Sequence, residues 1–284
     1  MEKNILSVLS ASSGFSKGQK RIAGYILENY DRAAFMTAGR LGAAVGVSES
    51  TVVRFAAELG YDGYPEMRKA LQDMVRNRLT SVQRIEVAKE LLENEDVIHS
   101  VLSTDIEELE TTLEELDKDS FDKAVDAIVN SRNVYILGMR TSNCLANFLG
   151  FYLNLLMDNV RVVQDTTVSE VYEQIVRIGE GDVFIGISYP RYSSRSVRAM
   201  QFAKEAGATV IGITDSETSP LCEMSDSVLF AKSDMVSFLD SLVAPMSLIN
   251  ALIVAVGSKT QASRTFDRLE KIWRDYDVYE SPQK

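Results

Sequence analysis

The sequence predicts two folds in one chain: an all-α domain built around a helix-turn-helix, then an α/β three-layer sandwich on a five-stranded parallel sheet. Three observations predict it. Residues 1–78 carry their apolar residues at helical spacing. From 133 onward, short β-branched runs alternate with segments of helical pattern. The charge balance also changes sign along the chain: residues 1–80 hold eleven Lys/Arg against eight Asp/Glu, and residues 81–284 nineteen against thirty-three. The expected division is 1–78 for the helical domain, 79–131 for an acidic helical linker that begins the next domain, and 132–284 for the sandwich.

The overall charge of −11 argues against a nucleic-acid partner until it is divided into +3 and −14. A mildly basic module on an acidic body is compatible with DNA binding through the first part alone. The N-terminus lacks the apolar core and small-residue cleavage site of a secretory signal. The longest apolar stretch, 237–259, is broken by Asp240, Pro245 and Asn250, so a buried packing or dimerisation helix is expected there, over about 236–257, rather than a membrane span. Cys144 and Cys222 lie outside any CxxC pattern and read as small hydrophobes of a reducing, cytoplasmic protein. One histidine, His99, leaves little for a metal centre or a Ser-His-Asp triad. No metal and no cofactor is expected.

In the first domain, Ile22, Ala23, Ile26 and Leu27 keep the i, i+4 spacing of an amphipathic helix. The stretch "TAGRLGAAVGVSESTVVRFAAELGY" (37–61) has the arrangement of a helix-turn-helix. Thr37 caps a helix whose Leu41 and Val45 face inward, Gly46 supplies a left-handed turn residue, and Val47 plugs the space between helices. Ser48 caps the second helix, Val52 and Phe55 face the core, and Gly60 ends it. Glu49, Ser50, Thr51, Val53 and Arg54 are left toward solvent at the start of that helix, the part that enters the major groove in this motif. Arg54 suits guanine or a phosphate, Ser48, Ser50 and Thr51 suit bases or backbone, and Val53 suits a thymine methyl. Lys17, Lys20, Arg21, Arg40, Arg68 and Lys69 are available for phosphates. A plain helical hairpin is the competing reading.

Between 80 and 130 the chain reads as acidic helix. Val97, Val101, Ile106, Leu109, Leu113 and Leu116 form a stripe with Asp and Glu opposite, the pattern of a solvated linking helix.

The predicted strands are 133–138, 160–164, 182–188, 208–214 and 226–231. Near-continuous apolar runs alternating with helices imply a parallel sheet covered on both faces, with right-handed crossovers. Two further helices close the chain, about 236–257 and 260–276. Two strands end in hydroxyl-rich turns: "LGMRTSNCLANFLG" (137–150), where Ser142 or Thr141 can cap a helix, and "GISYPRYSSRS" (186–196), where Ser193 or Ser194 can cap one with Val197, Met200, Ala203 and Ala206 inward. In a flavodoxin-like order 2-1-3-4-5 these turns flank the switch point, where two helix N-termini form an oxyanion site. The competing reading is that the serines are caps and nothing more.

The run "VSESTVVRF…LGYDGYPEMR" within 36–71 resembles the N-terminal domain of RpiR-type transcriptional regulators, and the region from 133 resembles the sugar isomerase (SIS) domain that follows it in that family. The resemblance implies operator binding by the first domain and phosphosugar sensing by the second. It places Ser142, from "GMRTS" against G-x-G-x-S, and Ser188 and Ser193, from "SYPRYS" against S-x-S-G-x-T, at ligand-binding hydroxyl positions, with Tyr189 contributing backbone. The sequence departs from the pattern where Arg140 replaces a glycine and Pro190-Arg191 replaces Ser-Gly. Two guanidiniums beside an anion site suit an effector richer in negative charge than an aldose phosphate, such as a phosphorylated sugar acid. They suit equally an ion pair with acidic residues or with a dimer partner.

A sugar-phosphate aldose–ketose isomerase is the alternative function, and it needs a base in the pocket. Glu170 and Glu173 read as solvent-facing and His99 precedes the sheet, so a sensor with no catalytic residue is the expectation. A homodimer or homotetramer follows from the apolar C-terminal helices and from the two half-sites that helix-turn-helix proteins commonly read.

Overall fold

A computed structural model describes residues 5–11, 14–76, 80–92, 96–164, 167–233, 239–260 and 263–279. The chain divides into two compact units. The first comprises Met1–Leu102 with Met235–Asp240, and the second comprises Ser103–Asp234 with Ser241–Lys284.

The first unit holds α1 (Ile5–Ala11), α2 (Lys17–Glu28), α3 (Tyr30–Ala33), α4 (Ala38–Val45), α5 (Glu49–Glu58), α6 (Tyr64–Arg76) and α7 (Ser81–Leu92). Ser16 and Gln19 close a capping box on α2, satisfying two orphan backbone N–H groups at once. Ile22, Ile26, Leu41, Val52, Phe55, Met67 and Leu71 are fully buried together. Each such side chain contributes about 1.5–3 kcal/mol of burial. The Tyr64 hydroxyl donates to the Met36 carbonyl at 2.8 Å. Burial pushes this phenol up to about 12, against the opposing pull of Arg68. Asp240 also belongs to this unit, where it accepts two 3.0 Å hydrogen bonds from Nη1 of the buried Arg84.

The boundary between the units falls inside α8 (Val97–Glu115). The second unit continues with α9 (Lys118–Val129), β1 (Val134–Gly138), α10 (Ser142–Leu156), β2 (Val160–Val162), α11 (Val168–Ile175), β3 (Val183–Ile187), α12 (Ser194–Glu205), β4 (Thr209–Thr214), a 3-10 turn at Cys222–Met224, β5 (Ser227–Phe230), α13 (Val243–Lys259) and α14 (Ser263–Asp275). The five strands are all parallel, in the order β2-β1-β3-β4-β5. Alternation along the strands splits the core. Val134, Ile136, Val183, Ile185, Ile211 and Ile213 pack on α9, α10 and α13. Tyr135, Leu137, Phe184 and Val210 pack on α11 and α12. Three layers result, because residues of period 2 serve opposite faces.

Four local expectations are corrected. The long C-terminal helix begins at Val243 rather than about 236; residues 239–242 are non-helical and 236–238 lie outside the described residues. Pro245 lies in its first turn, where the missing N–H costs nothing. Half of the stripe turns outward: Val97, Ile106 and Leu113 are exposed, Leu113 by 76%, whereas Val101, Leu109 and Leu116 are half-buried, and on the polar side Glu108 and Thr112 are buried. The polar side is tied down instead, by Thr112 Oγ1 accepting from the Lys232 N–H at 2.9 Å and by the Glu115–Lys232 ion pair. Ala206, expected inward, is the exposed C-cap of α12, and Cys144 is an exposed thiol on α10.

Candidate functional site

In the helix-turn-helix, Thr37 Oγ1 accepts from the Arg40 N–H and Ser48 Oγ from the Thr51 N–H, so both helices start on side-chain caps. Gly46 takes φ 65° at the C-cap of α4, and Gly60 takes φ 95° just past α5. The Ser48 hydroxyl lies 2.9 Å from that of Ser50 and 2.8 Å from that of Thr51, so the three form one cluster at the N-terminus of α5. Arg54 Nε donates to the Ser50 carbonyl at 3.3 Å. Glu49, Val53, Arg54, Lys17, Lys20, Arg40 and Lys69 are exposed, and Arg68 is half-buried. Arg21 is exposed too, but its Nη1 donates to the Gly46 carbonyl at 3.2 Å and so clasps the turn.

In the second unit, β1 and β3 are neighbours, with Gly138 opposite Ile187 in the register. Their carboxyl ends therefore release two turns side by side. A Cβ at Gly138 would stand 2.2 Å from the Ser142 carbonyl oxygen, so only glycine lets α10 start this close to the strand. The Ser193 hydroxyl donates to the Met139 sulfur at 3.0 Å, joining the second turn to the first. Ser188 Oγ accepts from the Ser193 N–H at 3.1 Å, and Ser193 Oγ accepts from the Ser196 N–H at 3.4 Å, capping α12. Ser142, Ser188 and Tyr189 are buried, whereas Arg140 and Arg191 are exposed. Both arginines hold left-handed backbone, φ 57° and 67°. The replacement of glycine thus leaves a glycine-type conformation in place.

One cap differs from expectation. Thr141 occupies the N-cap position of α10 with no side-chain hydrogen bond, and Ser142 is already the first helical residue. The N–H groups of Ser142, Asn143 and Cys144 instead bond the carbonyls of residues 139–141, because the turn winds tightly into the helix.

A third turn, after β4, went unnoticed in the sequence. Thr214 Oγ1 donates at 2.9 Å to the Ser188 carbonyl and lies 2.7 Å from Ser219 Oγ, and the Tyr192 hydroxyl donates to Asp215 at 2.8 Å. The apolar run "ATVIGIT" passing into "DSETS" was the available signal, a third strand ending in hydroxyls. In the same turn, burial pushes the Cys222 thiol up, helped by the negative charge of Asp215 and Glu217. Glu170 is half-buried and Glu173 exposed on α11, and His99 is exposed on α8.

Two family models match the chain, one described as a helix-turn-helix domain of the rpiR family over residues 3–78 and one as the SIS domain over residues 127–255. An uncharacterised HTH-type transcriptional regulator of Caldanaerobacter subterraneus subsp. tengcongensis is 27% identical, covering 90% of this chain and 91% of that one. The HTH-type transcriptional regulator HexR of Pseudomonas aeruginosa is 26% identical over 89% of each. Among solved structures, the sugar isomerase domain of an RpiR transcription factor from Sphaerobacter thermophilus is 28% identical, with TM-score 0.58 over 63% of this chain and 99% of that one. The Vibrio vulnificus NanR protein complexed with ManNAc-6P shares the fold at 21% identity, with TM-score 0.59 over 96% of this chain and 98% of that one.

Fold and turns together define a class, a helix-turn-helix module joined to a sugar isomerase domain in one transcriptional regulator. The chain belongs to the RpiR family of transcriptional regulators. Among the described residues, no helix is long and apolar enough to cross a membrane.

Proposed function

We propose that this regulator binds operator DNA through residues 1–78 and senses a phosphorylated sugar or sugar acid through residues 132–284, with 79–131 connecting the two. Its setting is cytoplasmic, it controls sugar-metabolism genes, and it turns no substrate over. The observation that carries the reading is the pair of left-handed turns at Arg140 and Arg191. They keep a glycine-type backbone in the turns that carry Ser142, Ser188 and Ser193, and both arginines are exposed. Hydroxyls and the α12 N-terminus suit the phosphate, and the guanidiniums suit a second negative group on the sugar. The relative solved with ManNAc-6P supports the ligand class.

On the DNA side, Ser48, Glu49, Ser50, Thr51, Val53 and Arg54 face the major groove, and Lys20, Arg21, Arg40, Arg68 and Lys69 face phosphates. Exposed apolar residues, among them Phe151 at 62% and Val254 at 65%, support assembly into a homodimer or homotetramer. The effector acts by binding two arrangements of the assembly unequally.

The test has two arms. Gel shifts against the promoters of the protein's own gene neighbourhood should give a specific complex. A thermal-shift panel of ManNAc-6P, aldose phosphates and phosphorylated sugar acids should give stabilisation that Arg191→Ala weakens. Unchanged affinity in Arg191→Ala would remove the arginine from the site. Aldose–ketose turnover lost in Glu170→Gln or Glu173→Gln, without DNA binding, would make the protein an isomerase.

A further inference from the structure

The layer of helices on the α9 side of the sheet changes character across its width. α13 packs against both α9 and α10. Every exposed residue of α9 is charged: Lys118, Asp119, Asp122, Lys123 and Asp126. No residue of α10 is charged, exposed or buried. The one charge on α13 is Lys259, its last residue, whose ammonium meets Asp126 of α9 at 2.7 Å. Exposed helix positions are normally rich in charge, and a helix without a charged face is normally a covered one.

Large apolar side chains stand on that uncharged face. Phe151 and Tyr152 of α10 and Val243 and Val254 of α13 are exposed. Tyr152 stands edge-on to Phe148 and to Phe151, with ring centroids 5.1 Å apart in each pair. Beside these rings runs a groove of about 690 Å³, which Asn154 of α10 and Val162 of β2 help to line. α10 has 15 residues and α13 has 17. At 1.5 Å per residue and about 10 Å between axes, they offer roughly 500 Å² per copy, or about 1,000 Å² in a pair, the threshold of a specific interface. Charge decides what covers this face. Residues 81–284 hold thirty-three acids and nineteen bases, so two copies repel wherever their acidic faces meet. On α8, the exposed Ile106 and Leu113 are flanked by Glu107, Glu110 and Glu114, and self-pairing there sets carboxylate against carboxylate. The α10–α13 face brings no such charges together, and depletion of charge with aromatic enrichment is the signature of an interface core.

We propose that a second copy of this chain covers the face, α10 and α13 of one copy meeting α10 and α13 of the other about a two-fold axis and burying Phe151, Tyr152 and Val254. The inference rests on the self-assembly proposed above and names the surface that carries it. Because the face holds no unpaired charge, added salt screens only the repulsion between the two acidic bodies. Association therefore tightens as salt rises, the reverse of a dimer held by ion pairs.

The experiment is sedimentation equilibrium of the full-length chain at low and high salt, for the wild type and for Phe151→Glu, Val254→Glu and Leu113→Glu. The wild type should associate, more tightly at high salt. Phe151→Glu and Val254→Glu should each raise the dissociation constant at least about a hundredfold, because each places a carboxylate opposite its symmetry mate in a dry face. Leu113→Glu, on α8, should leave association unchanged. All three side chains are exposed in the single chain, so folding should survive, with circular dichroism and melting temperature as controls. If either glutamate variant misfolds, Ser247→Arg at an exposed position of α13 takes its place. A wild type that stays monomeric at tens of micromolar, or whose partner is a different protein, overturns this inference together with the assembly reading. A wild type that associates equally well with glutamate at 151 and 254, or that only Leu113→Glu dissociates, overturns this face and leaves assembly standing.

Discussion

Arg140 and Arg191 adopt the same left-handed backbone, φ 57° and 67°, in the turns that follow the neighbouring strands β1 and β3. A residue with a Cβ gives up about 1–2 kcal/mol in that conformation. Such strain persists where the surroundings over-determine it, and it tends to cluster at ligand sites. Replacing both arginines by glycine relieves the strain but adds unfolded-state entropy of about 0.5–1 kcal/mol each. The expected melting temperature is therefore unchanged or a few degrees higher, while phosphosugar affinity falls. Calorimetry and titration on the same sample check this. A large drop in melting temperature would mean that the arginine side chains brace the turns.

Gly138→Ala should separate the strand end from its helix. The added methyl meets the Ser142 carbonyl, which is backbone and cannot rotate away. Overpacking of this kind costs about 1–3 kcal/mol. Urea unfolding should show the loss, and phosphosugar binding should weaken because Ser142 moves with the start of α10.

Asp182 makes acid stability testable. Its carboxylate is buried and accepts from Arg132 Nε at 2.9 Å and Nη2 at 2.8 Å, from Asn133 at 2.7 Å and from the Gly179 N–H at 3.0 Å. Burial alone would push this carboxyl up, but these donors together hold it below the ordinary carboxylate range. A folded-state value depressed below an unfolded value of about 3.9 gives stability that is complete well above pH 4 and is lost as pH falls through the folded value. Asp182→Asn should lower stability at pH 7 by roughly 2–3 kcal/mol and flatten the acid limb of the unfolding curve. A pH profile identical to wild type would contradict it.

Arg84 and Asp240 should behave as a coupled pair. Arg84 is 3% exposed, so removing the Asp240 carboxylate takes a charged partner away from a buried cation. Asp240→Asn is expected to cost about 3 kcal/mol, and Arg84→Met with Asp240→Leu much less than the sum of the singles. A double-mutant cycle with a coupling energy near zero would reject the pairing.

At the helix-turn-helix, Arg54→Ala and Lys69→Ala should fail differently. Loss of a base-reading arginine costs about 1–3 kcal/mol and relaxes sequence preference, whereas loss of a phosphate contact weakens all sequences alike and lowers the salt slope by about one. Binding curves on specific and scrambled DNA at several salt concentrations distinguish the two. Equal effects on both DNAs from Arg54→Ala would reassign it to the backbone.

Much of the fold was legible because its signals are local. Five apolar runs became five strands within a residue or two, and in the central strands β1, β3 and β4 burial on both faces demands such runs. Thr37, Ser48 and Ser193 were readable as caps because a cap bonds a backbone N–H three residues away. The stripe on α8 misled, because an apolar face says that something covers it without saying what, and within this chain the polar face is the one anchored.

The sequence by itself determined the element types, the strand boundaries, the helix-turn-helix register and the two hydroxyl-bearing turns. Each depends on residues within a few positions of one another. Only the tertiary structure decided that Thr214 braces Ser188, 26 residues away, that Tyr192 reaches Asp215, and that Arg84 meets Asp240 across 156 residues. It also decided that Arg140 and Arg191 keep a glycine-type backbone. Local propensity disfavours that conformation for arginine, so nothing in the neighbouring residues announces it.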